Sequence, residues 1–260
     1  MHRIILIFVC FFFVAKISYA QTNYLHSFDG VKIAYTDQGE GKLVVLIHGF
    51  INSGDSWDRT ALKPMLLKKG YRVVVPDLRG TGLSGKPQEE EAYKNDAEVK
   101  DLKLLLDALG VKKCMAIGYS RGSIVLSKLI TQDKRIKKAV IGGMGLHFTD
   151  KDWDRRFLFA EAFNGVVTPE TQGAVRYAKS IHADLRSLHL QQKYQPHTSI
   201  QELSTIKAKV LVLAGDLDTD NGSPKKLQSA IPKSVLKQVK GDHNNTVKTL
   251  DFAVEVLQFL

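Results

Sequence analysis

The chain has 260 residues, 44% hydrophobic and 25% charged, with a formal net charge of +10 at pH 7. This composition is that of a globular protein, and the length suffices for one full α/β domain with a large core. The basic residues are scattered, without the arginine-rich run or stacked aromatic platform of a nucleic-acid binder. A nucleic-acid partner is therefore not expected, and the charge favours only weak attraction to anionic surfaces.

The first twenty residues have the parts of a secretory signal peptide. Met1–Arg3 is basic, 4–15 is apolar, and Ser18-Tyr19-Ala20 places small residues at the −3 and −1 positions before Gln21. The apolar stretch is shorter than the roughly 20 residues that cross a bilayer, which disfavours an uncleaved anchor. We expect residues 1–20 to be a signal peptide, with no stable membrane span after cleavage. The mature protein would be exported, to the periplasm or outside the cell.

Strand and helix patterns alternate through the first half of the chain. Two alternating runs flank Asp29-Gly30 and predict a β-hairpin. From Leu43 onward, apolar strand patterns alternate with helical ones, which predicts an α/β fold with a mostly parallel, twisted sheet and helices on both faces. The predicted strands are 43–47, 72–75, 113–119 and 139–142, and the predicted helices are about 57–69 and 92–109.

Gly118-Tyr119-Ser120-Arg121-Gly122 stands between a buried strand pattern and a helical one. A serine at such a strand–turn–helix junction sits in strained backbone, with its hydroxyl exposed at the carboxyl edge of the sheet. Glycines two residues to either side permit the close approach of strand and helix. Ser120 is therefore the candidate nucleophile.

Two later strand patterns end in residues that a reactive serine needs. The run 210–214 leads through Gly215 to several acids, and the run 235–239 leads through Gly241 to His243. Asp216, Asp218 and Asp220 all compete for the role of the acid. The chain order is therefore serine, acid, histidine.

That order, together with His48-Gly49-Phe50 and the segment 77–84 (DLRGTGLS), resembles the α/β-hydrolase superfamily over about residues 23–260. The resemblance implies Asp218 as the acid, because it alone matches the family's G-x-x-D position. It also implies the backbone N–H groups of Phe50 and Arg121 as oxyanion donors. Residues 21–260 would then form one domain, in which the aromatic-rich segment of about 147–207 is a small helical cap insertion.

The resemblance implies a serine hydrolase that cleaves a small carboxylic ester, thioester or lactone through an acyl-enzyme, with Ser120, His243 and Asp218 as its triad. A serine nucleophile speaks against dehalogenases and epoxide hydrolases, which place aspartate there. The same triad also serves carbon–carbon bond hydrolases and acyltransferases. A ligand-binding protein with an unused triad is a third alternative.

The remaining patterns suggest no further ligand. The acids at 216, 218 and 220 resemble the start of a calcium loop, but Asn221 and Leu227 stand where its glycine and glutamate belong. No metal and no cofactor are therefore expected, and the partner is a small ester-type molecule. His48 is expected to brace the oxyanion loop. The Arg121 side chain is expected to point to solvent against the cap, or to guide an anionic substrate. Cys114 would be the only cysteine after cleavage, so no intramolecular disulfide can form.

Overall fold

The computed structural model describes residues 21–260, and the predicted signal peptide, residues 1–20, lies outside the described residues. The described part contains one eight-stranded sheet. Its strands are β1 (Thr22–His26), β2 (Lys32–Gln38), β3 (Leu43–Ile47), β4 (Arg72–Pro76), β5 (Cys114–Tyr119), β6 (Ile136–Gly142), β7 (Lys209–Gly215) and β8 (Ser234–Val239).

The strand order is β1-β2-β4-β3-β5-β6-β7-β8. The predicted hairpin forms β1 and β2, and β2 also pairs antiparallel with β4. The strands from β3 to β8 are mutually parallel. The predicted mostly parallel sheet is therefore confirmed, and the carboxyl ends of its parallel strands share one edge, where open α/β sheets form their sites.

Helices cover both faces of the sheet. The helices are α1 (Leu62–Lys68), α2 (Ala97–Ala108), α3 (Arg121–Gln132), α4 (Asp154–Phe163), α5 (Gln172–Ser180), α6 (Leu185–Lys193), α7 (Ile200–Ser204), α8 (Pro224–Ser229) and α9 (Leu250–Phe259). One buried cluster joins the sheet to α2 and α3, with Leu102 and Val125 among its members. A second joins the opposite face to α1 and α9, through Leu66 and Phe252. Both helical layers therefore bury apolar side chains against the strands.

Helices α4 to α7 all lie between β6 and β7, in the segment 147–207 where the sequence lacks a strand pattern. Their aromatic side chains pack towards the loop after β3: the Phe50 ring meets those of Phe159 and Phe163 edge to face, at centroid distances of 6.2 and 5.3 Å. This insertion therefore contacts the carboxyl edge of the sheet.

Two predicted helices are shorter than expected because of local backbone chemistry. A helix α1 beginning near residue 57 would set the Pro64 ring against the carbonyl of Thr60, so the chain forms a 3₁₀ turn over Gly54–Arg59 and α1 starts at Leu62. Helix α2 starts at Ala97 because Asn95 and Asp96 both have positive φ. In both cases the predicted centre was correct and the start was wrong.

The last helix, α9, is preceded by a separate short turn. Helix α9 begins at Leu250, and the side chain of Thr249 caps it by accepting from the Phe252 N–H. Thr246 is the first residue of a separate 3₁₀ turn, Thr246–Lys248, and its hydroxyl donates to the Asp242 carbonyl (2.7 Å). None of the helices described in residues 21–260 is long and apolar enough to cross a membrane.

Cys114 opens β5 in the core, where burial raises the pKa of its thiol to about 12. Because thiol reagents react with the thiolate, we expect Cys114 to resist Ellman's reagent at pH 8 in the native protein and to react rapidly in urea. Peptide mapping of the labelled cysteine checks this. Fast labelling of Cys114 without denaturant would contradict the tight packing of β5.

Candidate active site

Ser120 stands alone between β5 and α3, with φ 52° and ψ −124°. This backbone conformation is strained for a residue with a side chain, and it marks a sharp turn between strand and helix. The Ser120 N–H donates to the carbonyl of Gly142 at the end of β6 (2.8 Å). The turn is therefore anchored to the neighbouring strand, and Ser120 lies at the carboxyl edge of the sheet as the sequence predicts.

The two glycines around Ser120 are required by close backbone contacts. A Cβ atom on Gly118 would lie 2.5 Å from the Gly122 carbonyl oxygen, and one on Gly122 would lie 2.3 Å from the Ile47 carbonyl oxygen. Ser123, the residue after Gly122, is buried in the same contact. Its hydroxyl lies 2.9 Å from the carbonyl oxygen of Gly118 and 2.8 Å from that of Gly142.

We expect Gly122→Ala to destabilise the protein by about 1–3 kcal/mol or more, because the added methyl group meets backbone that cannot rotate away. Chemical denaturation of the purified variant measures this. Gly173→Ala is the matched control, since a Cβ there meets no atom within 4 Å. Equal stability of the two variants would contradict the described packing of the elbow.

His243 lies in the loop after β8 and contacts both other members of the predicted triad. Its Nε2 is 2.9 Å from Ser120 Oγ, and its Nδ1 is 2.8 Å from Asp218 Oδ2. The carboxylate can only accept, so Nδ1 carries the proton and Nε2 is free to accept the proton of the serine hydroxyl. This tautomer is the one a general base requires.

The three competing aspartates have separate surroundings. The Asp218 side chain is 3% exposed, and its Oδ1 has no hydrogen-bond partner within residues 21–260. Asp216 instead accepts from Lys240 Nζ (2.7 Å) and the Gly241 N–H (3.0 Å), and Asp220 lies 3.5 Å from Arg155 Nη2. Only Asp218 reaches the histidine, so its carboxylate is directed at His243 alone.

The loop after β3 lies against the elbow. A Cβ on Gly49 would be 3.4 Å from Ser120 Cβ, so the two segments are in contact. Neither the Phe50 nor the Arg121 backbone N–H donates a hydrogen bond within residues 21–260. Arg121 is also the first residue of α3, whose N-terminal amides carry partial positive charge. Both predicted oxyanion donors are therefore unpaired beside Ser120.

His48 holds the loop after β3 in place through both of its ring nitrogens. Its Nδ1 donates to the Gly49 carbonyl (2.8 Å), and its Nε2 accepts from the Leu78 N–H (3.1 Å). Burial lowers the pKa of His48, which favours the neutral ring that this pattern needs. Ile51 then adopts φ 59°, a strained value for a β-branched residue. His48 therefore ties the loop after β3 to the loop after β4.

The side chain of Arg121 takes neither of the two expected positions. It is 3% exposed and forms a bidentate ion pair with Glu98 of α2, at 2.8 and 2.6 Å, while its Nη2 also donates to the Gln191 carbonyl in α6 (2.7 Å). The expected position against solvent is wrong, and a substrate-guiding role is disfavoured because the guanidinium is already paired. Arg121 instead connects the start of α3 to both α2 and the inserted helices.

Two further residues at the site were not predicted. The Tyr119 hydroxyl donates to the backbone carbonyl of His243 (2.7 Å), and the two rings lie 5.7 Å apart. Asn221 Nδ2 is 3.2 Å from His243 Nδ1 and 3.2 Å from the Gly143 carbonyl oxygen. Tyr119 adjoins the nucleophile and Asn221 follows Asp218 by three residues, so proximity in sequence was the available signal.

Ser120 and His243 open into a cavity of about 640 Å³, within the range of small-molecule sites. Helices α4 and α5 supply part of its lining, including Phe159 and Tyr177, so the inserted helices and the sheet edge enclose the same space. Further aromatic side chains in the lining are those of Phe50, Trp57 and Trp153.

A model of the alpha/beta hydrolase fold matches residues 42–193, more than half of the chain. The chain therefore belongs to the alpha/beta hydrolase fold family, which agrees with the sheet order and with the position of the elbow.

Curated relatives match parts of the chain. Epoxide hydrolase 4 of Mus musculus is 43% identical over 98 residues, which cover 37% of this chain and 26% of that protein. Non-heme haloperoxidase of Rhodococcus erythropolis is 30% identical over 151 residues, which cover 55% of this chain and 54% of that protein. The chain thus spans less than two thirds of the length of these relatives.

Among solved structures, a bromoperoxidase from Bacillus anthracis superimposes with a TM-score of 0.74 at 26% identity. The superposition covers 92% of this chain and 99% of the bromoperoxidase. The architecture of residues 21–260 is therefore shared with that protein over nearly its whole length.

Proposed function

We propose that this protein is a serine hydrolase that cleaves a small carboxylic ester, thioester or lactone through an acyl-enzyme. The observation that supports this most directly is the continuous hydrogen-bonded chain from Ser120 through His243 to Asp218, with its 2.9 and 2.8 Å contacts. The serine end of that chain opens into the cavity.

In the proposed mechanism, His243 Nε2 takes the Ser120 proton as Oγ attacks the acyl carbonyl carbon. The backbone N–H groups of Phe50 and Arg121 would stabilise the oxyanion. The imidazolium then returns the proton to the leaving group, which departs as alcohol or thiol and leaves an acyl ester on Ser120. Water, deprotonated by His243, attacks this ester, and Ser120 Oγ leaves with the proton. Asp218 holds the ring tautomer and stabilises the imidazolium throughout.

The nature of the nucleophile separates this proposal from the epoxide hydrolase named among the relatives. Opening of an epoxide in that class uses a carboxylate at the elbow, whereas a serine hydroxyl with a paired histidine suits attack on an acyl carbon. Ser120 therefore favours acyl chemistry.

Two of the similar proteins are a haloperoxidase and a bromoperoxidase, and this similarity favours a second candidate reaction at the same acyl-enzyme. Hydrogen peroxide would replace water: His243 Nε2 takes one peroxide proton as that oxygen bonds to the acyl carbon, and the bond to Ser120 Oγ breaks as His243 returns the proton to Oγ. The products would be a peracid and free enzyme. Adding peroxide during ester turnover and measuring peracid against carboxylic acid distinguishes the two outcomes.

A panel of 4-nitrophenyl esters with acyl chains from acetyl to octanoyl tests the proposal. We expect saturable hydrolysis of at least one member of the panel, because a cavity of about 640 Å³ accommodates esters of this size. The absence of turnover across the panel, together with failure on lactone and thioester substrates, would favour a non-catalytic binding protein. If the protein is instead a carbon–carbon bond hydrolase or an acyltransferase, its rate of ester hydrolysis should be low compared with its rate of carbon–carbon bond cleavage or of acyl transfer.

We further propose that the helices between β6 and β7 act as a cap over the site, because α4 and α5 line the cavity beside Ser120. Export to the periplasm or the extracellular space rests on the composition of residues 1–20 and stays a prediction.

A further inference from the structure

Positive charge dominates the lining of the cavity at Ser120. Apart from its two histidines, His48 and His243, the titratable acids and bases of the lining that carry full charge are one acid, Asp220, and five cations: Arg59, Arg121, Arg155, Arg156 and Lys248. A cleft lined mainly by one sign of charge raises the local concentration of ligands of the opposite sign. The cavity is therefore suited to anions.

Three of these cations already have carboxylate partners. Arg59 lies near Asp55 (3.4 Å), Arg121 is paired with Glu98, and Arg155 lies near Asp220 (3.5 Å). Lys248 is exposed and forms no ion pair within residues 21–260. Arg156 is half-buried and likewise has no carboxylate partner in the described part of the chain.

The contacts of Arg156 leave part of its guanidinium free. Its Nε donates to the Gln192 carbonyl (2.8 Å) and its Nη2 to the Lys193 carbonyl, at the C-terminal end of α6. These bonds satisfy carbonyl groups at the end of the helix and occupy the Nε–Nη2 edge of the guanidinium. Nη1 has no hydrogen-bond partner within residues 21–260 and is not fully buried, so it is accessible to a ligand.

The surroundings of Arg156 make its charge costly. Burial and the nearby Arg121 guanidinium both lower the pKa of Arg156, and Asp152 offsets this only in part. A cation held in place, partly desolvated and without an anion is a site at which an incoming carboxylate gains most. The aromatic side chains of Phe50 and Phe159 line the same cavity and suit an apolar body.

We propose that the substrate carries a carboxylate as well as the bond that is cleaved, and that Arg156 binds this carboxylate. This rests on the proposed function, in which Ser120 attacks an acyl carbonyl. An arginine suits the task because its planar guanidinium matches the two oxygens of a carboxylate. The substrate class is thus a half-ester of a dicarboxylic acid, or an ester whose alcohol part is an acid.

Two matched pairs of esters test the proposal. On the acyl side, mono-4-nitrophenyl adipate is compared with 4-nitrophenyl hexanoate, and on the alcohol side 4-acetoxybenzoate is compared with 4-methylphenyl acetate. We expect kcat/KM to favour the anion by about tenfold or more in at least one pair, as for a hydrogen bond to a charged group. The preference should fall as NaCl is raised.

Arg156→Gln should remove about tenfold or more of that preference, mainly through KM of the anionic ester, while the neutral partner changes by less than about threefold. Arg156→Lys should retain part of it, and melting temperatures check that both variants fold. Arg155→Gln is the matched control: it removes one charge from the same lining, but from a guanidinium that already faces Asp220. It should alter the preference by less than about threefold.

The proposal would be overturned if the wild-type protein preferred the anionic ester in neither pair. It would also be overturned if Arg156→Gln kept the preference, or if Arg155→Gln removed it to the same extent. Calorimetric binding of mono-4-nitrophenyl adipate and 4-acetoxybenzoate to the Ser120→Ala protein separates this from failure of the proposed function. An affinity for either that drops on adding Arg156→Gln would support the carboxylate site even if the wild type cleaves no ester. Binding of neither would overturn it.

Discussion

Ser120→Ala is expected to lower ester turnover by about 10³ to 10⁶, the range for loss of a triad nucleophile, while the fold stays intact. Without Oγ no acyl-enzyme can form, and only the oxyanion donors and binding in the cavity remain. Burst and steady-state kinetics with a 4-nitrophenyl ester measure the loss. Circular dichroism and the melting temperature check the fold.

The chain offers a matched control for this substitution in Ser127. Ser127 is a buried serine, unlike the half-buried Ser120, and its hydroxyl donates to the Ser123 carbonyl within α3 (2.7 Å) without lining the cavity. Ser127→Ala should keep activity within about threefold, as for a change away from the reacting atoms. If Ser120→Ala kept its activity within about tenfold of the wild type, the assignment of Ser120 as the nucleophile would be wrong.

Asp218→Asn is expected to cost about 10³ to 10⁴ in kcat. An asparagine amide facing Nδ1 would favour the ring tautomer in which Nε2 carries the proton and cannot accept another. The neutral side chain would also leave the imidazolium without its counter-charge. Steady-state kinetics of the purified variant measure the loss.

Asp216→Asn tests the specificity of that effect, since Asp216 lies two residues earlier on the same loop. Its carboxylate contacts Lys240 and the Gly241 N–H rather than His243. An exposed ion pair of this kind contributes little, so the cost should stay within about tenfold. If Asp216→Asn proved the more damaging change, the assignment of the acid would be wrong.

Much of the fold and the placement of the triad residues could be predicted because both depend on local patterns. The strand–turn–helix signature around Ser120 and the glycine before His243 each lie within a few residues of the feature they predict. Parallel strands then bring their carboxyl ends to one edge, so residues more than a hundred positions apart meet. Family resemblance added the choice of Asp218 among three acids.

The surroundings of Arg121 could not be predicted in the same way. Its partners, Glu98 and the Gln191 carbonyl, lie 23 and 70 residues away on helices whose packing sets the contact. No short-range pattern encodes that meeting. The same holds for Arg156, whose accessible Nη1 depends on how α4 packs against the end of α6. Only the tertiary structure shows that packing.

Helix starts failed for a different reason. Asn95 and Asp96 occur in helices as well as in left-handed turns, so their positive φ values leave no distinct mark in the sequence. Pro64 did carry a signal, because proline is tolerated only in the first turn of a helix, and it limits how early α1 can begin.

The most direct test of an activated Ser120 is covalent labelling by a fluorophosphonate probe, read by mass spectrometry of a tryptic digest. Cleavage after Lys113 and Arg121 gives the peptide 114–121, in which Ser120 is the only serine. A single adduct at Ser120 that disappears in His243→Ala is the predicted result. An unlabelled Ser120 in folded protein, or equal labelling after His243→Ala, would contradict the proposed triad.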